Sequence, residues 1–284
     1  MIRRAQTRRG FLLLTVLMMI AVASLILARV ANSSMRVATT AMTEEREMRQ
    51  RWASYSMRRF ALSEAPGLLQ DVDSSDVPST LWRDIRLAGE DYRVIVSDES
   101  AKLNVLRVAG ENDLAQAIES LKRLSTGAIG IRPNGSQAAS HRPMTRWDDW
   151  FDVDSYTAAQ SNRGHVAREL ATSTQRVTLW GNGRLNVSRC DGETIDLLWN
   201  RLFGRPAPSA LHQARGQSPP MPWVALSGQL GLRESQIEKA TSWIQTDSDC
   251  WSVWVFCESD RRVPPTFYVE WGRGGNQTSR GYVY

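Results

Sequence analysis

Apolar side chains run almost without interruption from Phe11 to Ala28, and only Thr15 and Ser24 break the pattern. Both hydroxyls can bond back to the preceding turn, so the run predicts a helix that is apolar on all sides. About 18 residues at a rise of roughly 1.5 Å reach on the order of 27 Å, enough to cross a hydrocarbon core. Arg3, Arg4, Arg8 and Arg9 precede the run with no acid among them, the asymmetry that holds an N-terminus in the cytoplasm. The rest of the chain is then expected to lie at, or across, a membrane. Beyond the run, Val37, Ala41, Met48, Trp52 and Tyr55 recur at spacings of 4, 7, 4 and 3, which places them on one helical stripe. Arg36, Glu44, Glu45, Arg46, Glu47 and Arg49 occupy the opposite face. Glu64-Ala65-Pro66-Gly67 is expected to end this helix, because proline cannot continue it.

The pattern then changes period. Residues 91–96 alternate every second position and predict a half-buried strand, which leads into Asp98-Glu99-Ser100-Ala101-Lys102-Leu103-Asn104. From there to about residue 240 the periods are mostly helical, over 112–124, 191–202 and 233–244. Segments 127–141 and 204–222 are rich in Gly, Pro, Ser and Asn and predict loops. Strand character returns at 251–256 and 266–271, separated by a polar loop that includes Pro264 and Pro265. This order predicts an α+β fold: a long N-terminal helix packed on a small antiparallel sheet, with a mostly helical domain inserted into it.

The formal net charge is +5, but the four leader arginines carry most of it; without them 31 basic residues face 30 acidic ones. A nucleic-acid partner needs a basic stripe on the folded part, so that class is disfavoured. Leu124-Ser125-Thr126-Gly127-Ala128-Ile129-Gly130 has the shape of a phosphate-gripping hairpin between helices, yet near-neutral charge makes a structural role the better reading. The eleven tryptophans are spread over the chain, as core and interface anchors are. Of three cysteines, Cys250 and Cys257 are a candidate disulfide if the segment between them bends back, and Cys190 reads as a small buried apolar residue.

Asp148, Asp149, Asp152 and Asp154 give an oxygen density that suits calcium, with Asp149, Asp152 and Asp154 as candidate ligands, although the order is not that of an EF-hand loop. The bland alternative is an acidic helix end stabilised by caps. No nucleophile constellation exists: His141, His165 and His212 lie far apart, and Asp98 and Glu99 are neighbours that would point to opposite faces of an extended chain.

Three stretches together resemble the K family of type II secretion minor pseudopilins. Arg9-Gly10-Phe11 with its apolar run resembles a prepilin peptidase site. Most pilins carry Glu at the fifth mature position, whereas this chain has Thr15 there, a departure typical of the K family. Residues 98–104 resemble the family's Asp-Glu-x-Gly-Lys-Ile-Asn segment, with Ala101 in place of Gly. Gly183-Arg184-Leu185-Asn186-Val187-Ser188 is similar to its Gly-Lys-Ile-Asn-x-Asn repeat, with Ser188 in place of the second Asn. Residues 149–154 also resemble the family's Asp-Trp-x-Asp-x-Asp stretch.

The resemblance implies a pilin-like fold with a prepilin leader over 1–10, a transmembrane and amphipathic helix over 11–65, and an α/β domain from 66–103 and 241–284. The inserted helical domain would span 104–240. It also implies that the Gly10–Phe11 bond is cut and the new Phe11 amine methylated. The implied place is the tip of a pseudopilus, anchored by a single pass in a bacterial inner membrane with the C-terminal domain in the periplasm. Implied partners are other minor pseudopilins, the major pseudopilin, prepilin peptidase, the inner-membrane assembly platform and secreted substrates, with no nucleic acid. No catalysis and no required cofactor are implied, calcium being the one candidate. A competing reading takes Thr7-Arg8-Arg9-Gly10-Phe11-Leu12-Leu13 as a twin-arginine export signal, with cleavage after Ala23 releasing a soluble periplasmic enzyme or binding protein.

Overall fold

The computed structural model describes residues 5–70, 80–110, 114–132, 146–160, 163–215, 217, 219–259, 263–272 and 278–284. Residues 1–53 and 54–284 form two compact units. The first consists of the front part of helix α1 (Ala5–Gln70). Its apolar residues from Phe11 to Trp52 are exposed, and the helix is long and apolar enough to cross a membrane. Glu45 pairs with Arg49 and Glu47 with Arg51 one turn apart, the spacing that supports an exposed helical face.

The end expected near residue 65 is corrected, because α1 continues through Pro66 to Gln70. Proline removes the amide that would bond the Leu62 carbonyl, but Leu69 beyond that break is buried, as are Met57, Ala61, Leu62 and Ala65 before it. Burial of that apolar face holds the last turn in place. The Leu69 carbonyl also accepts a hydrogen bond from the Arg189 guanidinium.

The second unit is built on a five-stranded antiparallel sheet of order β1 (Thr80–Leu87), β2 (Glu90–Asp98), β7 (Cys250–Cys257), β8 (Thr266–Trp271) and β9 (Thr278–Val283). Alternation along the strands separates two buried sets. Tyr92, Val94, Val96, Val253 and Val255 belong to the face on which the last turns of α1 lie. There the Arg58 guanidinium sits 4.4 Å over the Tyr268 ring and donates to Ser279 Oγ. Ile95, Trp254, Phe256, Phe267 and Val269 face the other way and join the apolar core of the helical block.

That block occupies the chain between β2 and β7. It contains α2 (Val105–Gly110), α3 (Leu114–Leu124), α4 (Val153–Gln160), α5 (Arg163–Ser173), α6 (Gly192–Phe203), α7 (Ser209–Gln213), α8 (Trp223–Gln229) and α9 (Glu234–Trp243) among the described residues. Two short parallel pairs brace it: β3 (Leu103–Asn104) with β4 (Val177–Thr178), and β5 (Leu185–Asn186) with β6 (Ile244–Gln245). Trp147, Trp150 and Trp199 are fully buried in the core it shares with the sheet.

The β1–β2 hairpin turns through Ala88 at φ 53 and Gly89 at φ 85. Two left-handed residues suit a tight hairpin, but alanine is strained there. Ala88→Asn is expected to raise stability by roughly 0.5–1 kcal/mol, because asparagine tolerates this conformation. Chemical denaturation of the purified chain in detergent micelles checks it; an unchanged or lower midpoint would count against strain at the turn.

Candidate functional site

Chemistry-bearing residues gather in two places, one in each unit. In the first, Gly10 and Phe11 lie inside α1, with the Phe11 side chain exposed. Thr15 Oγ1 donates to the Phe11 carbonyl at 2.7 Å. The hydroxyl is thus turned back onto its own helix, and a short neutral group stands where a carboxylate could reach outward. The helix runs through Ala23 and Ser24 without a break.

In the second unit, a buried polar junction forms where the chain leaves the sheet for the helical block and returns. Asp98 ends β2 and is completely buried. Its Oδ1 accepts from the Ser100 amide at 3.0 Å, capping the short turn Glu99–Ala101, and its Oδ2 accepts from Ser248 Oγ. Arg189 Nε stands 3.9 Å away. Burial pushes the Asp98 carboxyl up to about 6, against the opposing pull of the Ser248 hydrogen bond and the Arg189 charge. Glu99, also buried, turns to different partners: its Oε1 accepts from Lys102 Nζ at 2.6 Å and from Ser252 Oγ at 2.5 Å. The two adjacent carboxylates therefore share no partner and do not form an acid/base pair.

The returning segment 247–249 is clamped from both sides. Ser248 Oγ accepts from Asn186 Nδ2 at 2.8 Å. Asp249 Oδ1 accepts from Ser100 Oγ at 3.0 Å, and Oδ2 from Asn182 Nδ2 at 2.8 Å. The two Leu-Asn strands play matching roles. Asn104 donates to the Trp180 carbonyl at 2.9 Å and accepts from the Arg107 amide at 2.9 Å. Asn186 accepts from the Ser188 amide at 3.0 Å. Gly183, at φ 79, is required here, since a Cβ would come within 2.6 Å of Arg107 Cδ. Both sequence motifs thus serve a hydrogen-bonded clasp in which every side chain named here holds a partner.

The calcium site expected at Asp149, Asp152 and Asp154 is not assembled. Asp149 Oδ2 accepts from the Arg146 amide at 3.0 Å, Asp152 Oδ1 from the Ser155 amide at 3.3 Å, and Asp154 Oδ2 from Arg132 Nη2 at 2.7 Å. Each carboxylate serves a separate cap or ion pair, and no group of three or more metal-binding side chains converges among the described residues. Hydrogen bonding to Ser155 holds the Asp152 carboxyl below the usual carboxylate range.

The candidate disulfide is corrected as well. Cys250 and Cys257 stand at opposite ends of β7, opposite Trp271 and Tyr92 respectively. Seven extended residues separate them by roughly 23 Å, several times the reach of a disulfide. Cys190 is buried as expected, and burial pushes its thiol well up.

In the hairpin after α3, the Ala128 amide donates to Glu169 Oε2 at 3.1 Å, so a carboxylate already occupies the place of a phosphate. His165 lies 3.1 Å from the Tyr156 hydroxyl and His212 3.1 Å from Asp196, while His141 lies outside the described residues. Sequence reasoning missed Asn182, Arg189, Ser248 and Asp249; the only local signal was the run Asp247-Ser248-Asp249 just before a strand.

No family model and no curated protein matches the chain. Among solved structures, the chain is similar to one from the GspK-GspI-GspJ complex of the enterotoxigenic Escherichia coli type 2 secretion system, with a TM-score of 0.47 and 13% identity over 86% of this chain and 99% of that one. A likeness this distant decides nothing about function.

Proposed function

We propose that this chain is a minor pseudopilin of a type II secretion system, a structural subunit and not an enzyme. One observation carries the reading: a single uninterrupted helix carries an apolar span that starts at a Gly10–Phe11 junction, and its last turns lie on an antiparallel sheet interrupted by a helical block. In this role prepilin peptidase cuts before Phe11, the new amine is methylated, and α1 anchors the subunit in the inner membrane with the sheet in the periplasm. The subunit joins other minor pseudopilins at the pseudopilus tip, above the major pseudopilin and the assembly platform, where it starts assembly and meets secreted substrates. Thr15 then acts as a position determinant. A chain with no acid there offers nothing to the N-terminal amine of a subunit above it, and so belongs first in the filament.

Intact mass and N-terminal sequencing of the membrane-extracted mature protein tests this. The expected start is N-methyl-Phe11. A start at Ser24, with the protein soluble in the periplasm, would overturn the proposal in favour of a twin-arginine export signal.

A further inference from the structure

Asn182 is followed by Gly183, and an asparagine before a glycine carries its own chemistry. The side-chain amide carbon is an electrophile, and the backbone nitrogen of the next residue can close a five-membered ring on it. Glycine eases that attack, since it has no Cβ to crowd the approach. Asn182 lies exposed, and the Gly183 amide has no acceptor among the described residues. The folded chain nevertheless holds the electrophile still. Asn182 Nδ2 donates to Gln245 Oε1 at 2.9 Å and to Asp249 Oδ2 at 2.8 Å, and its Oδ1 accepts from the Arg184 amide at 2.7 Å. These bonds, one of them to a carboxylate, must loosen before the side chain can turn toward Gly183.

We infer that Asn182 is a deamidation site whose conversion unlocks the buried junction in one direction only. The Gly183 nitrogen bonds to Asn182 Cγ and loses its proton to solvent, the Cγ–Nδ2 bond breaks, and Nδ2 leaves as ammonia. Water then opens the ring to aspartate or isoaspartate. Neither product can remake the clasp. Both bonds donated by Nδ2 are lost, and a second carboxylate stands where an amide met that of Asp249. Two carboxylates at that separation disfavour each other's charge. Asp249 also accepts from Ser100, so the disturbance reaches the turn that follows β2. Isoaspartate adds a further main-chain atom to a turn that already holds Gly183 at φ 79. Because opening of the clasp sets the pace, the extent of conversion counts the time the junction has spent open. The inference rests on this loop alone and holds whether or not the chain is a pseudopilin.

The test follows the full chain in detergent micelles at mildly alkaline pH, with and without denaturant, by peptide mapping with mass spectrometry. Asn182 is expected to convert in both, roughly tenfold to a hundredfold more slowly when folded, as local opening against one or two such bonds allows. Asp249→Asn leaves a neutral acceptor in place of a charged one and should speed conversion of the folded chain several-fold. Asn182→Asp should lower the midpoint of chemical denaturation. Adding Asp249→Asn to it should recover most of that loss, which a change of packing alone would not do. The inference fails if Asn182 in the folded chain stays an amide throughout about a hundred half-lives of the denatured one. Equal rates in the two states, an unchanged rate in Asp249→Asn, an unshifted midpoint in Asn182→Asp, or a loss that the second substitution leaves in place would each overturn it as well.

Discussion

Lys102→Ala is expected to cost about 3–5 kcal/mol of folding stability, the loss typical of stranding one member of a buried ion pair. Lys102 and Glu99 keep only 6% and 1% of their side-chain surface exposed, and their 2.6 Å contact lies at the turn where the chain leaves the sheet. Without the ammonium, the Glu99 carboxylate stays buried with Ser252 as its remaining donor, and its Oε2 has no hydrogen-bond partner. The pair as a whole need not be stabilising, since desolvating both charges offsets much of their attraction. Glu99→Leu combined with Lys102→Met should therefore recover most of the loss. Chemical denaturation of the three proteins in micelles measures both statements. A Lys102→Ala variant within about 1 kcal/mol of wild type would mean that water reaches the site.

Asp98 is expected to make the fold more stable in mild acid than at neutral pH. Its carboxyl titrates near 6 in the folded chain against a usual 3.8, so the folded state binds the proton more tightly than the unfolded one. The contribution is fully present below about pH 4 and is lost as pH rises through about 6. A shift of about two pH units corresponds to roughly 3 kcal/mol. Asp84 and Asp152 work in the opposite sense, because hydrogen bonds to Arg93 and Ser155 lower their carboxyls, and what they add is lost as pH falls. The useful quantity is therefore wild type compared with Asp98→Asn. Asparagine can still accept from the Ser100 amide, and it removes the titration. The stability difference between the two proteins should favour the variant increasingly between pH 4 and 7. A difference independent of pH would show that Asp98 does not titrate in this window.

The elements that were legible in the sequence are those with a strong apolar pattern, whether one face is buried or, as in most of β2 and β7, both. β2, β7, β8, α6 and α9 each carry a regular period, and their observed ranges differ from the expected ones by a residue or two. β1 and β9 escaped because they are the two edges of the sheet; Thr278–Val283 is largely exposed and shows little alternation. The end of α1 was misplaced because a local rule about Pro66 was outweighed by the burial of Leu69, a tertiary effect. Cys250 and Cys257 looked like a pair only while the strand between them was allowed to bend. The junction was half legible. Residues 98–104 and 183–188 stood out as motifs, but Ser248 and Asp249 sit far along the chain from Asp98 and Ser100, where no local pattern can announce a hydrogen bond.

The sheet order also fixes how such a chain can be made. β2 ends at Asp98, and its neighbour β7 pairs there with Trp251, about 150 residues later. At a synthesis rate of about 5–20 residues per second, the β1–β2 hairpin emerges on the order of ten seconds or more before its partner exists. During that wait the β2 edge is a bare ladder of amides and carbonyls, open to pairing with any other nascent strand. Closing so long a loop as a random coil would be slow. A helical block formed before β7 would bring its two ends together, and the hydrogen bonds of Ser248 and Asp249 to Asp98, Ser100, Asn182 and Asn186 would then hold β7 at that edge. In that order of events the block between the two strands would serve as a built-in assembly jig for the sheet.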